Sequence, residues 1–217
     1  MKKKALIVSG GWDGHRPQEC AEIIIKSLEA RNILVTPTET LESFDKPAEL
    51  LEYDVIIPNW TMGKLTADQE KNLMAAIRSG VGLAGWHGGM GDAFRENSAY
   101  QFMTGGQFVS HPGNIKPYQV HFQVQDHFIT RGLSDFEITT EQYFMHVDPS
   151  IHVLANTVFK GSPEGMDWVN EVKMPVLWTK TYGKGKVFYS SIGHQPDTLS
   201  HPTVLEFTTR GVEWALK

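Results

Sequence analysis

The chain has 217 residues, enough for one large α/β core and too few for two comfortable ones. Its net charge of -5 is mild, and Lys and Arg are scattered after Lys2-Lys3-Lys4, so no basic stripe offers itself to nucleic acid. The one cysteine, Cys20, excludes an internal disulfide and points to a cytoplasmic home; the apolar run Ala5 to Val8 is too short for a signal peptide, and no stretch is long enough to span a membrane.

In chain order, Lys4 to Ser9 reads as a buried parallel strand. The glycine-rich loop Gly10 to His15 follows, and Pro17 suits the first turn of a helix. Ala21, Ile24, Ile25 and Leu28 share one face of that helix. Leu34 to Thr38 and Tyr53 to Pro58 read as strands, the latter ending in Asn59-Trp60-Thr61. Thr66 to Gln69 has the capping-box form, and the helix it opens runs to a stop at Gly80. Val81 to Ala84 is a short strand that breaks at Gly85. Strands and helices in alternation predict a parallel sheet covered on both faces.

The second half is less regular. A short helix is predicted over 97–103, and 104–117 reads as a polar loop. Strands are predicted over 119–125, 137–144, 153–159, 176–181 and 187–191. Tyr182 to Lys186 carries a hairpin-turn signal between the last two, and Pro202 opens a final amphipathic helix. No repeat or linker interrupts the chain, so one domain over 1–217 is the economical reading.

The centre of the pattern is Gly85-Trp86-His87-Gly88-Gly89. Glycines two before and two after a central residue allow a sharp strand-to-helix elbow that exposes that residue, normally Ser or Cys. Here it is His87. In an open α/β sheet, ligands lie outside the carboxyl ends of the strands. That rule places Trp12, Asp13 and His15, then Asn59, Trp60 and Thr61, then Trp86, His87 and Asp92, and finally His194 on one rim. Indole planes suit the C–H face of a sugar ring, with His and Asp available for its hydroxyls. Any one of these tryptophans has a competing role as a lid over the core, and His121, His127 and His152 are read as ordinary surface or structural histidines.

Several segments together resemble the trehalose-utilisation (ThuA-like) family. They are Gly10-Gly11 with His15, the His87 elbow, Gly105-Gly106-Gln107-Phe108 with His111-Pro112, Glu141-Gln142-Tyr143, and Gly185 through His194. The resemblance covers nearly the whole chain. It implies a flavodoxin-like three-layer α/β/α sandwich with a mostly parallel central sheet, of the class I glutamine amidotransferase-like kind. It also implies carbohydrate catabolism, on disaccharides or on 3-keto derivatives made by a partner dehydrogenase. Glutaminase chemistry is not expected: it needs an elbow thiolate activated by histidine, and the only cysteine sits in the first helix. His194 lacks a carboxylate two residues on, where Pro196 stands.

Two chemistries remain open for these residues. His15, His87, His111 and His194, with Asp92 and Glu141, offer ligands that could hold Zn²⁺ or another divalent ion facing a sugar oxygen. A metal-free site would use His87 or His194 as general base, partnered by Glu141 or Asp92, to take a proton beside a sugar carbonyl. Trp12, His15, Trp60, Trp86, His111 and Tyr143 are then the candidate substrate-binding residues. A non-catalytic sugar-binding or regulatory module is the alternative to an enzyme, and a homo-oligomer is the default assembly.

Overall fold

A computed structural model describes residues 2–161 and 166–217. The elements run β1 (Lys4–Gly11), α1 (Pro17–Ala30), β2 (Leu34–Thr38), α2 (Pro47–Leu50), β3 (Val55–Thr61), α3 (Ala67–Ser79), β4 (Gly82–Trp86) and α4 (His87–Gly91). They continue with α5 (Ser98–Thr104), β5 (Gly106–Ser110), β6 (Ile115–Phe122), β7 (Phe136–Glu141), β8 (Phe144–Val147) and β9 (His152–Val158). β10 (Lys173–Tyr182), β11 (Gly185–Ser190), α6 (Pro196–Leu199) and α7 (Pro202–Ala215) complete the chain.

Nine strands form one sheet in the order β2-β1-β3-β4-β11-β10-β9-β6-β7. From β2 to β11 the pairing is parallel, and the order is that of a flavodoxin-like fold with β11 as its fifth strand. From β11 to β7 each pairing is antiparallel, beginning with the β10–β11 hairpin that Tyr182 to Lys186 predicts. β5 and β8 form a separate two-stranded ribbon.

Alternation along the parallel strands assigns residues to two cores. Ala5, Ile7, Val55, Ile57 and Phe188 face one way, against Ile24 and Leu28 of α1 and Phe207 and Val212 of α7. Leu6, Val8, Ile56, Leu83 and Val187 face the other way, against Leu73 and Ile77 of α3. β1, β3, β4 and β11 bury both faces, which is why these segments are mostly apolar, whereas β2 at the sheet edge is largely exposed. The Thr66 capping box forms as its sequence predicts: Gln69 N donates to Thr66 Oγ1 at 3.2 Å and Thr66 N to Gln69 Oε1 at 3.1 Å. Among the described residues, no helix is long and apolar enough to cross a membrane.

Three details differ from the sequence reading. β4 does not break at Gly85 but continues to Trp86, since Gly85 lies against Met90 and the Pro58 carbonyl with no space for a Cβ. The expected loop over 104–117 contains β5 and the start of β6. β6 tolerates Pro117 because only β7 is paired at that register, while β9 joins at His121 and Phe122. The strand expected over 137–144 is two strands, β7 and β8, separated by Gln142 and Tyr143.

Candidate active site

The strand-to-helix turn expected at His87 is present, but it buries His87 instead of exposing it. Trp86 ends β4 in an extended conformation, and His87, the first residue of α4, has φ 45°. A non-glycine residue there is strained by about 1–3 kcal/mol and persists only where its surroundings fix it. Three contacts do so for His87. Its Nδ1 donates to the Ser191 carbonyl at 2.9 Å, beyond the end of β11. Its ring stacks on Tyr143 with centroids 4.0 Å apart. Its Nε2 lies 3.1 Å from Glu141 Oε2.

Glu141 is the hub. It closes β7, at the far edge of the sheet order from β4, yet its carboxylate meets residues from the ends of the parallel strands. His194 Nδ1 donates to Glu141 Oε2 at 3.1 Å and lies 3.3 Å from His87 Nε2. His111 Nε2 approaches the other oxygen, Oε1, at 3.6 Å. His15 reaches the group from the turn Asp13–His15 after β1, its Nδ1 2.8 Å from Thr61 Oγ1 at the end of β3. One ligand atom from each of His15, His87, His194 and Glu141 falls within 4.8 Å of all the others. Gly88 makes room for this: a Cβ there would stand 2.5 Å from His15 Cε1 and 3.0 Å from Thr61 Oγ1.

The electrostatics follow from burial and crowding. Burial, reinforced by His87 and His194, pushes the His15 imidazole down to about 3, so it is neutral at pH 7. Burial also lowers His87, against the opposing pull of Glu141. For Glu141 burial acts upward, but hydrogen bonding to His194 and the proximity of His87 outweigh it and hold the carboxyl well below its usual range. The Tyr143 phenol is raised well above its usual value by burial and stays protonated.

A cleft of about 140 Å³ opens above this group, lined by Trp12, His15, Thr61, Met62, Asp92, Arg95, Phe108, His111, Glu141 and Tyr143. The expected rim residues therefore separate into three sets. Trp12, His15, His111, Glu141 and Tyr143 face the cleft as expected, with Trp12 48% exposed and edge-on to His15. His87 and His194 are buried and meet Glu141 outside the cleft lining.

The third set is placed elsewhere or in another role. Trp86 is 2% exposed and belongs to the core under α1 and α7, which removes it as a sugar platform. Trp60 lies across Gly10 and Gly63, packed against the other core. Asp92 reaches the cleft, but Arg95 Nε and Nη2 occupy its two oxygens at 2.6 and 2.7 Å, so it is an anchor and not an acid or base. Of the cation set expected from sequence, His15, His87, His194 and Glu141 form the close group, while His111 stands at its edge, 35% exposed, and Asp92 pairs with Arg95. Thr61 lines the cleft as the strand-end rule expects, whereas Arg95, Met62 and Phe108 were not anticipated. Arg95 carried a signal, three residues after Asp92, where a short turn favours an ion pair.

Cys20 is buried in α1, and burial pushes its thiol up to about 12, which makes it an inert thiol. The site is thus a histidine–carboxylate cluster on a flavodoxin-like sandwich, at the carboxyl ends of its parallel strands. The chain belongs to the trehalose-utilisation (ThuA) family, whose pattern matches residues 4–215. No curated protein matches it. Among solved structures it is similar to a ThuA-like protein from Bacteroides uniformis, at 19% identity and TM-score 0.78 over 98% of this chain and 91% of that one. A ThuA-like protein from Parabacteroides merdae gives 14% identity and TM-score 0.79 over 99% of this chain and 90% of that one. A β-galactosidase from Bacillus circulans gives 15% identity and TM-score 0.58, over 100% of this chain and 31% of that one. At these identities the likeness is one of fold, the class I glutamine amidotransferase-like fold of ThuA-like proteins.

Proposed function

We propose that the chain is a cytoplasmic enzyme of carbohydrate catabolism that moves a proton at a carbon beside a sugar carbonyl. The observation that carries this reading is the carboxylate of Glu141, gripped by buried histidines on Oε2 and offered to the cleft residue His111 on Oε1. That arrangement has the parts of a general-base dyad. His111 sits within reach of a ligand, Glu141 orients it and stabilises the imidazolium it becomes, and His87 and His194 hold Glu141 in place. His15 and the guanidinium of Arg95 flank the space where negative charge would develop on the carbonyl oxygen.

The size of the cleft supports a small substrate. At about 140 Å³ it is well below the roughly 300–1,000 Å³ of pockets for drug-sized ligands, so its enclosed part suits one sugar ring. Trp12 at the mouth offers a plane for a second ring that remains outside. Trehalose-type disaccharides and their 3-keto derivatives have this form, and a keto group supplies the acidic neighbouring C–H.

The test is turnover of a panel of disaccharides, glucosides and their 3-keto forms, followed by NMR. The reading predicts conversion of a keto-sugar by the native protein, with kcat reduced about 10²–10⁴-fold in His111→Ala, the range of a lost general base. Saturable sugar binding with no conversion of any member would instead favour a binding module.

A further inference from the structure

We infer that His87, His194, Glu141 and His15 form a binding site for one first-row divalent cation. The inference deepens the proposed function, since the ion would lie beneath the same cleft, but it stands on a separate observation: the identity and spacing of the ligand atoms in the cluster.

The Ser191 carbonyl can only accept, so the proton of a neutral His87 is on Nδ1 and a bare lone pair is on Nε2. That lone pair lies 3.1 Å from Glu141 Oε2. The third corner, His194 Nδ1, lies 3.1 Å from the carboxylate oxygen and 3.3 Å from His87 Nε2. Two imidazole nitrogens and a carboxylate oxygen thus converge on one point, where a cation would be held by all three at once.

The dimensions agree. Ligand atoms about 2.0–2.2 Å from an ion and about 90–110° apart are separated by roughly 2.8–3.6 Å. The three edges of this triangle are 3.1, 3.1 and 3.3 Å. His15 supplies a fourth arm, with its Nδ1 engaged by Thr61 and its other nitrogen left free. The outer contacts are those that orient metal ligands: a carbonyl on His87 Nδ1, a hydroxyl on His15 Nδ1, and His111 on the second carboxylate oxygen.

Three imidazoles and one carboxylate, with no thiolate, suit Zn²⁺, Co²⁺, Fe²⁺ or Mn²⁺ over Cu⁺ or Ca²⁺. An ion held there with a position open to the cleft would act as a Lewis acid toward a sugar oxygen.

The experiment uses full-length protein stripped with a chelator and reloaded with Zn²⁺ or Co²⁺. Bound metal is counted by elemental mass spectrometry after desalting, and Co²⁺ is followed by its visible ligand-field absorption. One ion per chain is expected, with affinity reduced at least about 100-fold in His194→Gln and in Glu141→Gln. His121→Ala, at a surface pair outside the site, should bind as the native chain does. The Co²⁺ spectrum of the native protein reads nitrogen ligation directly, so the result does not depend on how well the variants fold. Failure of the native chain to retain either ion, or equal binding by both variants, overturns the inference. Ion bound in the absence of any sugar conversion supports it while defeating the proposed function. Conversion by a protein that binds no ion does the reverse.

Discussion

Two buried polar clusters lie in different parts of the molecule, and they are built to opposite specifications. On the antiparallel half, Lys180 of β10 has a side chain only 5% exposed. Its Nζ donates to Asp148 Oδ2 at 2.7 Å and to the Phe102 carbonyl at 2.8 Å, and it lies 4.3 Å from the centre of the Phe102 ring. Asp148 in turn accepts from Ser150 N at 2.7 Å. Donors meet acceptors throughout. In the cluster around Glu141, three histidines crowd one carboxylate, one residue has a left-handed backbone, and the group opens onto a cleft. A network closed on itself holds a fold together, whereas convergent titratable groups open to a cleft are a place for something else to bind.

The sharpest break between the two comes from neutralising each carboxylate. Glu141→Gln should reduce turnover about 10²–10⁴-fold, because it removes the partner that orients and stabilises the base. The same change should leave the stability of metal-stripped protein within about 1 kcal/mol, since the isosteric amide keeps an oxygen acceptor and offers an N–H donor to the imidazoles around it. Asp148→Ala should do the opposite. It strands a buried ammonium and costs about 3 kcal/mol in urea unfolding, with kcat unchanged. Stability loss in the first or activity loss in the second would erase the distinction.

Gly88→Ala probes how closely the site is packed. The new methyl group drives into the His15 ring, so kcat should fall about 100-fold, as small displacements of a positioned group do, for a stability cost of about 1–3 kcal/mol. A pH series gives a milder effect. Hydrogen bonds from Lys180 and Ser150 lower the Asp148 carboxyl to about 2, so its contribution is complete above the unfolded value near 3.9. It is lost as pH falls from about 4 through 2. The stability gap between native protein and Asp148→Asn should close over that window; a constant gap would show that the charge contributes nothing. The smallest effect is expected at His121, paired with Asp135 at the surface, where His121→Ala should change stability by less than about 0.5 kcal/mol.

Periodicity made the parallel half of the fold readable. Its inner strands β1, β3 and β4 are buried on both faces, and α1, α3 and α7 carry proline or capping-box starts. The antiparallel half was harder, since β5 and β8 are only 5 and 4 residues long and their sequences mix glycine, polar and apolar residues. At the site, the strand-end rule located His15 and His87, and the family motifs added His111, Glu141 and Tyr143. The rule also admitted Trp86 and Trp60, because position at a strand end does not say which way an indole turns. Trp86 turns into the core beside α7, and Trp60 lies flat over Gly10. Asp92 was legible as an acid but not as one already neutralised by Arg95, a pairing set by the turn after α4.

The central claim, that this cluster moves a proton beside a sugar carbonyl, is tested most directly by hydrogen exchange. Keto-sugars incubated with the native protein in D₂O should gain deuterium at the carbon next to the carbonyl, read by mass spectrometry, even where net conversion is slow. The account predicts incorporation by the native protein and its loss in Glu141→Gln and His111→Ala. No incorporation by native protein, or equal incorporation by both variants, would contradict it.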